Sequence, residues 1–261
     1  MRQFVAEREL ENGILTVEGK KFRYLNSVLR VQPGDMIHVR LLDSTLQPMT
    51  VAKIDEDSRK IILQVAGDQV PKGEDLHAGP IQNMPQAKLW LFQFVAKPPK
   101  MDLIIRQAVE CGVQCIVPVE GTFCQKGNIE SARKKASPGD DRWNRIITEA
   151  REQSGSPVST RILEPVTVEQ ACMMMEKEGI PLSVVLYEQS EGTVSMAAAL
   201  EGKKGSTQAA IFVGAEGGIS PEEISTLKNA GVQSVHIKTN ILRCETAALY
   251  GTAALQTLLY E

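Results

Sequence analysis

The chain has little of what marks a membrane, secreted or metal-bound protein. Across its 261 residues no apolar run reaches the roughly 18 residues that a membrane-spanning helix needs. The opening stretch, MRQFVAEREL, carries charges where a secretion signal requires an apolar core. A cytoplasmic protein is therefore expected. Cysteine is sparse and odd in number: Cys111, Cys115, Cys124, Cys172 and Cys244 are scattered, as suits reduced thiols. The first three lie close in sequence but lack C-x2-C spacing, a second pair and a nearby histidine. No metal site is expected. Net charge is only −3, so a nucleic-acid-binding surface, if present, has to be a local patch. Internal repeats and low-complexity tracts are absent.

What remains is enough for a full core, in one large domain or two, since 43% of the residues are hydrophobic. Residues 1 to about 70 read as β-rich. Ile37, Val39 and Leu41 alternate with more polar neighbours, and further strands fit 49–54 and 61–66. Gln32-Pro33-Gly34-Asp35 supplies a turn, and a short helix is expected over 20–28. Such a stretch suits a small barrel. Residues 67–86 are rich in Gly, Pro, Asp and Asn and read as a connection between domains.

Beyond it strand and helix alternate, which predicts a parallel sheet covered on both faces. Strands are expected at 89–95, 115–119, 182–187 and 209–213. A helix over 100–111 turns Leu103, Ile104, Ala108 and Val109 inward and stops at Gly112. Another over 141–153 buries Trp143, Ile146, Ile147 and Ala150. Thr167 to Gln170 opens a third with a capping box. Residues 134–141 (KKASPGDD) read as a mobile surface loop.

The chain is organised around 211–258. Ile211, Phe212 and Val213 suit a buried parallel strand, and Gly214, Gly217 and Gly218 let the backbone turn sharply beside a ligand. Ser220-Pro221-Glu222-Glu223 starts a helix with a capping box that Gly231 ends. A strand at 235–237, a polar loop at 239–245 and an alanine-rich helix follow. The glycine spacing is not that of the dinucleotide fingerprint, and GKKGST at 202–207 has a P-loop's letters in the wrong order.

GAEGG at 214–218, followed by ILRCETA at 241–247, resembles the paired signature GPEGG and ILRTETA of the RsmE family, the 16S rRNA uridine N3-methyltransferases of the SPOUT superfamily. FRYLNSVLRVQPGD at 22–35 and the RW…EQSG element at 142–155 resemble that family's other motifs. The resemblance implies an α/β fold: a SPOUT-type parallel sheet with a C-terminal trefoil knot over 88–261, a small PUA-like β-barrel RNA-binding domain over 1–72, and a linker over 73–87. It implies a homodimer acting on 16S rRNA near the decoding centre of the assembled small ribosomal subunit, with S-adenosyl-L-methionine as methyl donor.

In an open parallel sheet ligands gather at the carboxyl ends of the strands. By resemblance, the cofactor is expected against Leu186, Tyr187, Glu188, Gly214, Gly217, Gly218, Ile237, Lys238, Ile241, Leu242 and Thr246. Methylating uridine N3 spreads negative charge onto the neighbouring carbonyls as the proton leaves, and a guanidinium stabilises such charge. Arg243 is the first choice for that role; its rival role is a structural ion pair with Glu216 or Glu245. These two carboxylates are also the candidate proton acceptors, although Glu245 equally suits the positive end of the last helix. Arg2, Lys20, Lys21, Arg23 and Arg30 are candidate phosphate contacts. Arg142 and Arg145, with Glu149, Arg151 and Gln153, are expected toward the RNA or a dimer face.

The chain departs from the pattern at several positions. Phe22, Arg23 and Tyr24 replace histidines, Ala215 replaces Pro, Cys244 replaces Thr, and Ser156 stands where the family has Arg. Lys238 replaces a Gly, which strains the loop if positive φ is needed there. Pro98 and Pro99 replace a Gly-rich entry to the first helix of the larger domain. Rivals are another SPOUT enzyme, such as a ribose 2′-O-methyltransferase, and a non-catalytic rRNA-binding assembly factor.

Overall fold

The computed structural model describes residues 3–66 and 87–260. Arg2 and, apart from residue 87, the expected linker lie outside the described residues. Two compact units are present: the described residues up to 66 together with 151–157, and 87–150 together with 158–260.

In the first unit β1 (Phe4–Val5), β2 (Ile14–Val17), β3 (Met36–Arg40), β4 (Leu46–Asp55) and β5 (Lys60–Val65) form one sheet in the order β1-β3-β4-β5-β2. The β1–β3 pairing is parallel and the others are antiparallel. Strand alternation buries Leu15, Val17, Met49, Val51, Ile61 and Leu63 on one side. The expected helix begins as α1 (Gly19–Arg23) and continues as a wider π-helical turn, Tyr24–Leu29, that Arg30 ends with φ 54°.

Residues 151–157 are tied into this sheet. Glu152 accepts from Val5 N–H (3.2 Å) and pairs with Lys21 (2.5 Å), while Gln3 N–H donates to the Glu152 carbonyl (3.1 Å). Arg40 and Arg151 are both buried. Arg40 donates to Gln3, Ser44 and Gly155, and Arg151 to Ser44, Ser156 and Pro157. Most of these acceptors are backbone carbonyls, so burial is offset by hydrogen bonds and not by carboxylates.

In the second unit the chain runs β6 (Lys88–Phe94), α2 (Pro98–Glu110), β7 (Cys115–Glu120), α3 (Lys126–Ala136), α4 (Arg142–Ser154, whose last four residues belong to the first unit), β8 (Arg161–Ile162), β9 (Val166–Thr167), α5 (Val168–Lys177), β10 (Leu182–Leu186), α6 (Met196–Ala199), β11 (Gln208–Val213), α7 (Pro221–Asn229), β12 (Gln233–Val235) and α8 (Cys244–Tyr260). The sheet order is β12-β10-β11-β6-β7-β8, with β9 also on β7, and every pairing is parallel. Strands β6, β7, β10 and β11 are buried almost throughout, which is why they read as continuous apolar runs. Phe92 and Phe212 face each other in register with ring centroids 4.4 Å apart.

Several expectations are corrected. Helix α2 starts at Pro98, because Pro is tolerated in the first turn. It buries Met101, Ile104, Ile105 and Ala108, a 3.6-residue stripe that leaves Leu103 at its exposed edge. The expected loop at 134–141 begins inside α3, which the polar sequence of 126–136 concealed. The strand expected at 235–237 ends at Val235.

Candidate active site

Strands β12, β10 and β11 are adjacent, and their carboxyl ends release three loops on one edge of the sheet. These loops enclose a cavity of about 410 Å³. Leu186, Tyr187 and Glu188 line it from β10, Gly214 to Ile219 from β11, and Ile237, Thr239 to Leu242 and Arg243 from β12. The two separated motifs therefore meet in one place.

Local chemistry holds the loops in shape. Gly218 has φ 78°, and its N–H returns to the Ala215 carbonyl at 3.0 Å, closing the turn that GAEGG encodes. Ser220 caps α7: its hydroxyl accepts from Glu223 N–H, and the Glu223 carboxylate accepts from Ser220 N–H (2.8 Å). The same carboxylate accepts from Thr122 N–H at 2.7 Å, tying the loop after β7 to the helix that follows the glycines.

Of the residues expected at the cofactor, Leu186, Tyr187, Glu188, Gly214, Gly217, Gly218, Ile237, Ile241 and Leu242 line the cavity. Lys238 and Thr246 are not among its lining. Lys238 has no positive φ, so replacing a family glycine there brings no backbone strain. Ile241 is 88% exposed, an apolar side chain held out at the rim.

Arg243 and Glu216 both line the cavity; Glu245 does not. Among the described residues none pairs with the Arg243 guanidinium. The role that competed with catalysis, an ion pair to Glu216 or Glu245, is filled instead by Lys100. Its Nζ lies 3.0 Å from Glu245, 3.7 Å from Glu216 and 3.8 Å from Cys244 Sγ. Glu216 Oε1 also accepts from Lys97 N–H at 3.1 Å. Burial would raise the Glu245 carboxyl, but its own N–H at the start of α8, Lys100 and Cys244 outweigh that and hold it below the usual glutamate range. The hydrogen bond to Glu245 holds the Lys100 ammonium above its ordinary value. Burial and the neighbouring carboxylates push the Cys244 thiol up to about 12, so it is an uncharged packing group.

Lys100 was not expected at the site, and neither were His236, Asn240 or Cys244. The signal for Lys100 was available: it opens the helix after β6, beside β11 in the sheet, and so stands at the same carboxyl edge. A ring nitrogen of His236 lies 3.3 Å from the Tyr187 carbonyl and stitches the first loop to the third.

The expected RNA contacts divide. In the first unit Lys20, Arg23 and Arg30 are exposed, while Lys21 is held by Glu152. In the second, Arg142 pairs with Asp102 at 2.5 Å, and Arg145 lies 3.8 Å from Glu149. Arg151 is buried in the first unit and takes a structural part. Among the described residues no group of three or more His, Cys, Asp or Glu could hold a metal, and no helix is long and apolar enough to cross a membrane.

Comparison with known proteins defines the class first. The family described as RNA methyltransferase domain matches residues 82–256, which takes in the whole cavity. Ribosomal RNA small subunit methyltransferase E of Aquifex aeolicus is 31% identical over 254 residues, covering 95% of this chain and 96% of that protein. Its counterpart in Bacillus subtilis is 24% identical over 249 residues, covering 94% and 90%. The crystal structure of a ribosomal RNA small subunit methyltransferase E from Neisseria gonorrhoeae, bound to S-adenosyl methionine, superposes with TM-score 0.75 at 24% identity, covering 99% of this chain and 98% of that one. The chain belongs to the ribosomal RNA small subunit methyltransferase E family of RNA methyltransferases.

Proposed function

We propose that this protein transfers a methyl group from S-adenosylmethionine to N3 of a uridine in the 16S rRNA of the small ribosomal subunit. The observation that carries the reading is the meeting of GAEGG and ILRCETA around one cavity, with the Arg243 guanidinium at its edge and without a partner among the described residues. The names of the relatives support the substrate class.

The residues present fit the cofactor. About 410 Å³ falls within the span common for small-molecule sites. Leu186, Val235 and Ile237 offer an apolar wall to a purine, and the backbone groups of the loops offer donors and acceptors to its edge. The carboxylates of Glu188 and Glu216 suit a sulfonium cation. When bound, S-adenosylmethionine supplies an electrophilic methyl and leaves as S-adenosylhomocysteine. Arg243 donates to the uridine carbonyl oxygens as negative charge grows on them. Glu216 takes the N3 proton on Oε2, for which no donor competes among the described residues; Oε1 is held by Lys97 N–H. The N3–H pair becomes the N3–methyl bond. Glu245 stabilises the first turn of α8 and stays out of the reaction.

The reading includes a PUA-like first unit that holds RNA, a trefoil knot at the C-terminal segment, and a cytoplasmic homodimer acting on assembled small subunits near the decoding centre. The five-stranded sheet, the exposed Lys20, Arg23 and Arg30, and Leu249 and Tyr250 on the outer side of α8 support it. The test is mass mapping of 16S rRNA from a deletion strain. Loss of one N3-methyluridine, restored by the gene, is the expected result. Retention of that base with loss of a ribose methyl would replace this reading by a 2′-O activity.

A further inference from the structure

Three segments remote in sequence converge on one ammonium in the cavity wall. Lys100 stands in the first turn of α2, Glu216 in the glycine loop, and Cys244 and Glu245 at the first turn of α8. We propose that Lys100 is a positioning residue for methyl transfer: it ties the glycine loop to the start of α8 and thereby aims Glu216 Oε2 at the uridine N3 proton. The inference rests on the reading above, in which Glu216 accepts that proton.

The geometry supports a brace and not a loose surface pair. Lys100, Glu216 and Glu245 side chains are 27%, 29% and 16% exposed, so the contacts are partly shielded from water. The Glu245 contact, at 3.0 Å, is the hydrogen bond; Glu216, at 3.7 Å, is held mainly by charge. Both contacts to Glu216 fall on Oε1, from Lys97 N–H and from Lys100, which leaves the other oxygen directed by the pair. Glu245 and the uncharged Cys244 thiol, both in the first turn of α8, also hold the ammonium. Take Lys100 away and the two carboxylates that share its ammonium lose the charge that offsets their repulsion.

The test uses the full chain and small ribosomal subunits from a deletion strain as the methyl acceptor. K100M is expected to lower the turnover number about a hundred-fold, since misplacing a catalytic group by about 1 Å costs that much. Its affinity for S-adenosylmethionine, read by calorimetry, stays within about three-fold, and K100R recovers most of the turnover. The double variant K100M/E216Q is expected to be no slower than E216Q alone, because two residues acting through one group are not additive. Additive losses would overturn the inference. So would a large loss of cofactor affinity in K100M with turnover intact, which would make Lys100 a cofactor contact. If E216Q itself transfers methyl at the wild-type rate, Glu216 is not the acceptor and the inference falls with it. Failure of the functional reading looks different: the unaltered protein would methylate no uridine N3 in those subunits.

Discussion

Gly251 sits inside α8 with its back to the sheet, and replacing it by alanine sets two effects against each other. An alanine in a helix interior is favoured over glycine by about 1 kcal/mol. A Cβ at this position, however, would lie 2.5 Å from Leu186 Cδ1 and 2.8 Å from Ile211 Cδ1. Ile211 is 1% exposed and has no room to move. Leu186 lines the cavity, which is open space into which its side chain can turn. Overpacking a filled core costs about 1–3 kcal/mol, so the net expectation is a loss of about 1 kcal/mol after the helix gain. Because Leu186 is the residue that yields, the loss extends to the cofactor. Affinity for S-adenosylmethionine falls about ten-fold, the equivalent of about 1.4 kcal/mol. Urea unfolding measures the first effect and calorimetry the second. A variant more stable by about 1 kcal/mol with unchanged affinity would refute the reasoning, since only the helix term would then be operating.

Other expectations follow from the same contacts. Arg243→Ala should lower turnover about 100- to 1000-fold. Its unfolding free energy should stay within about 0.5 kcal/mol of wild type, because no partner among the described residues is lost; near-normal turnover would remove Arg243 from the mechanism. Ser220→Ala breaks the α7 capping box and should cost about 1 kcal/mol in denaturant unfolding. Asp102 is held below the usual aspartate value: burial alone would raise it, but the hydrogen bond from Arg142 and the charges of Lys135 and Arg142 prevail. A depressed carboxyl stabilises the fold above the unfolded-state value and ceases to do so as pH falls through the folded one. The stability advantage of wild type over Asp102→Asn should therefore be complete at neutral pH and shrink below about pH 4. An advantage independent of pH would mean that Asp102 serves by shape alone.

Much of the second unit was legible because its strands are buried on both faces and its helix ends carry capping chemistry. The glycine turn after Val213, the Ser220 cap and the Gly231 stop all followed from local rules, and those rules hold in the folded chain. Helix α3 was concealed because only Ala132 in it is buried, so no apolar stripe announced it. The site was legible where its residues are neighbours in sequence. Lys100 was not, because its meaning lies in partners more than a hundred positions away. Lys238 and Glu245 point the other way: the family pattern drew attention to them, and the geometry puts them outside the cavity lining.

The first unit is built from two pieces of chain, and its second piece, 151–157, arrives late. Until Glu152 and Gly155 have been synthesised, Val5 N–H, Lys21 and part of the Arg40 guanidinium have no acceptor there. A growing polypeptide can therefore pair its leading strands in order of emergence, but the polar groups beside them stay without these acceptors until residues 151–157 follow. An expression fragment that stops before residue 151 is expected to be soluble only with help, however sensible its boundary looks on paper.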